Sequence, residues 1–373
     1  MKKRIKMAVV GLRFGEYVVE CQILGQPGMD AIELVGVFDL DASKSSKIAQ
    51  KHAVRQYASL DEVLGDPQVE AVGLFTPPNG RAELIRKIIR AGKHVMTTKP
   101  FEQDAADALA VLEEARALNK IVHINSPEPL PDAETAQILN WQEAFQLGQP
   151  VSVRWETYTR NHEQADGSWY DDPAQCPVAP VFRLGIYGIN QLLRLCGKVD
   201  AVNVAHSRLF TGRPTPDNGE LSLQFENGAL GSVFASFCID DGQRYANHLC
   251  IHFTRGTVRS EVTQTFDNHD MRAKKLSLQA LDSEGRVVTR SVNLESEQLN
   301  GKYQWENFRD AVRSGQPLAG EIDPELIAHG VQVINAMCEA DQQGRLVVIP
   351  ELHSREPSTE RPVAMYPPVK IAT

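Results

Sequence analysis

The chain has 373 residues, 42% hydrophobic and 23% charged, which is long enough for two domains with a substantial core. Its formal net charge of −9 argues against nucleic acid or an anionic membrane surface as the principal partner, and no apolar run approaches the ~18 residues of a membrane span. The six cysteines (Cys21, Cys176, Cys196, Cys238, Cys250 and Cys338) form no CxxC pair and no Cys/His metal spacing, so they read as incidental thiols of a reducing compartment, with no metal expected.

Ile5–Val10 reads as a first strand, because only four apolar residues precede Gly11, too few for a leader core. A cytoplasmic location is expected. A helix over 17–24 follows, then a strand over 32–38 ending on Asp39, a helix over 43–51 with Ser43 as N-cap, and a short helix over 60–64. The stretch 70–102 organises the chain. Val72–Phe75 has the length of a buried parallel strand, and Thr76-Pro77-Pro78-Asn79-Gly80 ends it because proline cannot donate to a ladder. A helix over 82–90 ends at Gly92, and His94–Thr97 forms the next strand, leaving through Thr98-Lys99-Pro100. Two loops therefore open at the carboxyl edge of one parallel sheet, where open α/β sheets place their ligands. A helix over 104–118 and a strand over 121–124 complete a doubly wound Rossmann-type parallel sheet in residues 1–125.

Ser126–Pro131 is a proline-rich joint, followed by a helix over 133–147. From 151 onward strands dominate, at 151–158, 199–208, 219–225, 230–239, 247–253, 256–263, 275–281 and 286–292, many separated only by turns such as Asn227-Gly228. Residues 126–350 are therefore expected to form an α+β domain on a large open, mainly antiparallel sheet. Helices over 183–196, 303–314 and 324–340 accompany it, and 351–373 is a polar, Pro-rich tail.

Several side chains in this frame suit chemistry. Gly11 holds the first place of a dinucleotide fingerprint, but Arg13 and Glu16 stand at the second and third, so the motif alone is weak. Asp39 ends the second strand about 20 residues further on, where a carboxylate meets the ribose hydroxyls. Together they point to a dinucleotide site, with NAD favoured because the carboxylate repels a 2′-phosphate and NADP as the alternative. Lys99, on a ligand-edge loop, suits the stabilisation of an alkoxide, and Lys99-Pro100 is a candidate cis bond. On the helix from Arg183, the residues Arg183, Tyr187, Asn190 and Arg194 share one polar stripe. Gly185 and Gly188 line another side, where close packing would offset the weak helix propensity of glycine.

These motifs resemble the Gfo/Idh/MocA oxidoreductases over nearly the whole chain. AVGLFTPPNGRAEL is similar to that family's AVVIATPPxxHAEL, and GKHVMTTKPF to its GKHVLCEKPL. WQEAFQLGQPVSV at 141–153, the helix with Gly185 and Tyr187, and NFRDAVRSGQP at 307–317 fit in order and spacing. The resemblance implies an N-terminal domain that binds NAD(P) and a C-terminal domain that binds a small sugar- or cyclitol-like substrate. It also implies a homodimer or homotetramer through the C-terminal sheet. Gly11, Asp39, Thr76, Pro77 and Asn79 match cofactor positions; Arg13, Phe14 and Thr98 complete the expected cofactor set. Lys99 matches a lysine that touches substrate and nicotinamide ribose, and Tyr187 the proton acceptor. Arg183, Asn190 and Arg160 are the expected substrate contacts.

Departures from the family pattern qualify these expectations. Thr98 replaces a glutamate, Arg81 a loop histidine, Arg183 an aspartate, and Pro177–Pro180 a run of glycines. With Arg13, Arg81 and Arg183 adding cations, the pocket is expected to accept an anionic substrate, with Arg183 as a bidentate clamp. The expected reaction is oxidation of a secondary alcohol or the reverse carbonyl reduction, with Lys99 and Arg183 lowering the Tyr187 pKa. The alternatives are an NAD-using glycosidase or lyase on the same fold, and a non-catalytic ligand-binding homologue.

Overall fold

The computed structural model describes residues 2–25, 28–160, 164–243, 245–265, 271–298 and 303–353; the tail expected over 351–373 lies outside them beyond 353. In chain order the elements are β1 (Ile5–Val10), α1 (Leu12–Tyr17), β2 (Ile32–Phe38), α2 (Ala42–His52), β3 (Arg55–Gln56), α3 (Leu60–Gly65), β4 (Ala71–Leu74), α4 (Arg81–Arg90), β5 (His94–Thr97), α5 (Ala105–Ala117) and β6 (Val122–Ile124). They continue as α6 (Ala133–Ala144), β7 (Pro150–Tyr158), α7 (Ile186–Cys196), β8 (Val199–Ser207), β9 (Asn218–Phe225), β10 (Leu230–Ser236) and β11 (Ala246–Phe253). The last are β12 (Gly256–Thr265), β13 (Met271–Leu281), β14 (Val287–Gln298), α8 (Trp305–Ser314), α9 (Pro324–Gln343) and β15 (Val347–Val348).

Two compact units result. The first takes the described residues of Met1–Ile124 and Gln304–Ala319 with 352–353; the second takes those of Asn125–Tyr303 and Gly320–Glu351. In the first, six parallel strands lie in the order β3-β2-β1-β4-β5-β6, the doubly wound order whose switch point falls between β1 and β4. Burial on both faces explains the near-continuous apolar runs: every residue of β4 is buried, as are Ile5, Met7 and Val9 of β1. Helix α8 joins this unit through Arg313, whose Nη1 donates to Glu70 Oε1 at 2.6 Å, and through Phe308 against His123.

In the second unit nine strands lie in the order β14-β13-β12-β11-β7-β10-β9-β8-β15. All pairs are antiparallel except β7 with β10, which run parallel. One face is covered and the other open, so strands such as β9 alternate buried and exposed residues. Val153, Trp155, Val233, Leu249, Ile251, Val258 and Leu276 belong to the core on the covered face.

Local details differ from expectation at the cap of α2 and at the two helices described after it, and the short strands β3 and β15 were not expected. Asp41, not Ser43, caps α2: its carboxylate accepts the Ser43 N–H at 3.0 Å, because Asp41 has extended backbone and Ser43 is already helical. The first helix begins at Leu12 and passes into a π-helical turn over Val18–Ile23. The helix expected from Arg183 is a π-helical turn over Val181–Gly185 followed by α7.

Candidate active site

In the first unit the chain leaves β1 through Gly11, with φ +86°. A Cβ at this position would lie 3.0 Å from the carbonyl carbon and oxygen of Phe75, so only glycine lets the turn press on the end of β4. Gly15 does the packing job of the fingerprint's third glycine one place early, since its Cβ would sit 3.3 Å from Phe75 and Val9 side-chain atoms. Arg13 and Phe14 are exposed; the Phe14 ring stacks on Tyr17 at 5.6 Å and meets Phe75 edge-on at 6.4 Å.

Asp39 ends β2 beside this turn. Its Oδ2 accepts the Leu12 N–H at 2.6 Å and its Oδ1 the Asp41 N–H at 2.9 Å. Two amides thus orient a carboxylate that has acceptor positions for about four donors. Thr76, on the loop after β4, has a buried Oγ1 with no hydrogen-bond partner in the protein, an arrangement that calls for a ligand or water. Pro77 and Asn79 on the same loop are exposed. The cradle at Gly11, the oriented Asp39 and the orphan Thr76 hydroxyl fit a dinucleotide across the β1/β4 switch point.

The second ligand-edge loop leaves β5. Thr98 is buried, Lys99 is half-buried, and Lys99-Pro100 is a cis bond. Arg81 was expected to add a cation to a substrate pocket, and it does not. It is 1% exposed, and its guanidinium donates to the carbonyl oxygens of Thr76, Thr98, Pro100 and Phe101. A guanidinium taken out of water needs partners for its donors, and the carbonyls of the two loops supply them to Nη1 and Nη2. Glu102 answers from the other side: Oε2 accepts the Ala82 N–H at 2.6 Å, and Oε1 those of Gly80 at 3.3 Å and Gln103 at 2.7 Å. Burial raises the Glu102 pKa above the ordinary carboxylate value. Sequence reasoning missed this residue, because its amide partners lie some 20 positions upstream.

In the second unit the polar stripe of α7 turns towards the joint at 125–129, not to solvent. Asn190 is buried and its Nδ2 donates to Ser126 Oγ at 3.0 Å; Arg194 Nη2 donates to the carbonyls of Glu128, at 2.5 Å, and Pro129. Gly188 explains the close seat: a Cβ there would fall 2.3 Å from the Trp155 indole. Tyr187 hydrogen-bonds Asn125. The expected lowering of its pKa is overturned within this unit. Burial, reinforced by Tyr303, Glu128 and Tyr245, pushes the hydroxyl well above 10, and the Asn125 bond offsets only part.

Arg183 stacks on Tyr170, with its guanidinium carbon 3.9 Å from the ring centre, and on Phe237 at 4.9 Å. Arg213 pins the segment carrying Tyr170, donating to Asp171 Oδ1 at 2.9 Å and to the Gln164 carbonyl at 2.8 Å. Arg160 is exposed, paired with Asp240 at 2.6 Å and set over the Phe210 ring. Among the described residues no group of His, Cys, Asp and Glu could hold a metal ion, and no helix is long and apolar enough to cross a membrane.

A doubly wound unit with a dinucleotide cradle, joined to an open mixed sheet, defines a class of two-unit oxidoreductases. Residues 5–126 match the model described as oxidoreductase family, NAD-binding Rossmann fold, and residues 136–259 match the Gfo/Idh/MocA C-terminal domain. The chain belongs to the Gfo/Idh/MocA family. It is 32% identical over 239 residues to 4-carboxy-2-hydroxymuconate-6-semialdehyde dehydrogenase of Sphingobium, covering 63% of this chain and 72% of that protein. It is 22% identical to 1,5-anhydro-D-fructose reductase of Ensifer adhaerens, over 82% of this chain and 88% of the relative. Matches to three uncharacterised oxidoreductases span only 38%, 62% and 40% of their lengths. In fold it is similar to the WlbA dehydrogenase of Bordetella pertussis, solved with NADH and UDP-GlcNAcA. That likeness has a TM-score of 0.68 at 17% identity and covers 94% of this chain and all of that one.

Proposed function

We propose that the protein is an NAD-dependent dehydrogenase or reductase acting on a secondary alcohol or carbonyl of a sugar-, sugar-acid- or cyclitol-like substrate. The observation that carries this reading is the fit at the β1/β4 switch point, where the Gly11 cradle, the doubly bonded Asp39 and the orphan Thr76 hydroxyl converge. Gly11, Arg13, Phe14, Thr76, Pro77, Asn79 and Thr98 would hold the dinucleotide, and Asp39 its ribose, disfavouring a 2′-phosphate. The nicotinamide supplies a hydride acceptor or donor when bound.

Lys99 would meet the oxygen that becomes anionic, an electrostatic role that is worth about 10²–10³ in turnover when a single donor is removed. Tyr187 would move the hydroxyl proton. With its pKa raised, the tyrosine keeps its hydroxyl proton at neutral pH and could donate it to a nascent alkoxide during carbonyl reduction. Its replacement by Phe is expected to cut reduction by about 10²-fold or more with NADH affinity unchanged; unaltered turnover rejects the role.

Arg183 is proposed as the clamp for a carboxylate or phosphate on the substrate, joined by Asn190 and Arg160. The relatives' acidic ligands, a carboxylated semialdehyde and UDP-GlcNAcA, support that class. Arg160 would exchange Asp240 for substrate at little cost, since exposed ion pairs contribute only ~0–1 kcal/mol. A homodimer or homotetramer through the open face of the second sheet is proposed on the family resemblance and is tested by light scattering.

A panel of neutral and acidic sugars and cyclitols, assayed by nicotinamide absorbance in both directions, tests the whole reading. Turnover of an acidic member at the expense of NAD(H) supports it. Substrate consumption with no net change in nicotinamide would assign a redox-neutral cleavage instead.

A further inference from the structure

The described residues offer an arrangement that the function proposed above does not use. The two ligand-edge loops of the first unit are bound to each other by reciprocal buried charges. Arg81 opens α4 at the end of the first loop and donates to carbonyls of residues 98, 100 and 101 on the second, as well as to Thr76 on its own. Glu102 closes the second loop and accepts amides of residues 80 and 82 from the first. All four carbonyl acceptors of Arg81 belong to ligand-edge residues, and Lys99 lies between two of them.

We infer that Arg81 and Glu102 form a clasp that positions Lys99 and Thr76 as one rigid body, so that the cofactor loop and the catalytic lysine keep a fixed geometry. The inference rests on the dinucleotide–substrate reading for its catalytic consequence, but the clasp itself is a property of this unit. A guanidinium and a carboxylate, 1% and 5% exposed, are an expensive way to fill a core, because hydrophobic residues of similar volume often serve stability as well or better. What the charges add is directional: Arg81 fixes the carbonyls on both sides of Lys99, and Glu102 fixes the amides where α4 begins. Holding a reacting group in place matters because an error of about 1 Å can cost ~10²-fold in rate.

The test uses the full-length protein with Arg81→Met, Arg81→Lys and Arg81→Ala. In Arg81→Met, amide hydrogen exchange in the segment 97–104 is expected to quicken at least about tenfold, while the buried strand β1 keeps its protection. Turnover should fall by about 10²-fold, more than the affinity for NADH measured by fluorescence. Arg81→Lys should recover part of the loss. Millimolar guanidinium, which can enter the cavity left by Arg81→Ala, should restore both turnover and NADH binding in that variant, which a purely structural role would not predict.

Exchange at 97–104 within about twofold of the parent chain overturns the clasp, as does a loss of turnover that follows only the loss of folded protein and does not respond to guanidinium. If Arg81→Met does not fold, the exchange and turnover of Arg81→Lys decide in the same terms. A parent chain that binds no NADH and turns over nothing rejects the functional reading, and the exchange data still decide whether the clasp exists.

Discussion

Two arginines stand where the family resemblance leads one to expect other residues, and the regions around them solve the burial of a guanidinium in opposite ways. Around Arg81, in the first unit, the charge is taken out of water and its Nη1 and Nη2 groups meet main-chain carbonyls of the ligand-edge loops. Around Arg183, in the second, aromatic rings of Tyr170 and Phe237 cover the faces of the guanidinium. Stacking uses the π-face, which is compatible with an oxyanion meeting the edge. The same residue type thus serves as a fastener in one region and as a candidate ligand contact in the other. A count of cations in a sequence does not distinguish them.

Four experiments press on that contrast, from the largest expected effect downward. Replacing Lys99 by Ala removes the charge proposed to meet the reacting oxygen. Turnover should fall by about 10³-fold with NADH affinity changed only slightly, and equal losses in both would show that Lys99 acts through cofactor binding instead.

The sheet beneath the clasped loops should also fail in acid. Burial of His94, whose Nδ1 accepts the Ile121 N–H at 3.0 Å, depresses its pKa to about 4. The unfolded chain therefore binds a proton between pH 4 and 6.5 that the native chain does not, so stability rises with pH across this window. It is complete above the unfolded value and decreases by about 3 kcal/mol as pH falls through the window. Denaturant melts of His94→Gln should show a flatter pH dependence over that range; an unchanged slope would assign the acid lability elsewhere.

In the aromatic region, Arg183→Met keeps the volume and removes the charge. The specificity constant for an acidic substrate should fall by about 10–10²-fold, the worth of a hydrogen bond to a charged group, with that for a neutral analogue nearly unchanged. Equal loss for both would make Arg183 a structural residue with no part in recognising the substrate's charge. Gly188→Ala should be the mildest. The added methyl must displace Trp155, at a cost of about 1–3 kcal/mol for overpacking, partly offset by the ~1 kcal/mol better helix propensity of alanine. A higher melting temperature would show that the indole can yield.

The parts of this protein legible in the sequence are those that short-range pattern encodes. Strand and helix periods placed the parallel sheet and the long antiparallel run to within a few residues, and the β4 loop prolines and the glycine after β1 marked the turns at the carboxyl edge of that sheet. Two helical segments became π-turns, at Val18–Ile23 and Val181–Gly185, a change in hydrogen-bond register that periodicity does not resolve. Asp39 was singled out by its place at the end of β2, about 20 residues after the turn motif, but its hold on the Leu12 and Asp41 amides was not.

What the sequence determined by itself is therefore the alternation of elements, the parallel and the mainly antiparallel character of the two sheets, and the edge on which Gly11, Asp39, Thr76 and Lys99 stand. Only the tertiary structure decided what each charge does. Arg81 faces carbonyls up to 20 positions away, and Arg183 a ring 54 residues further on, at Phe237. Periodicity is written into neighbouring residues because helices and strands are local. The partner of a buried charge is chosen by whichever distant segment the fold brings within hydrogen-bond reach, and the free-energy cost of burying that charge unpaired makes the choice strict.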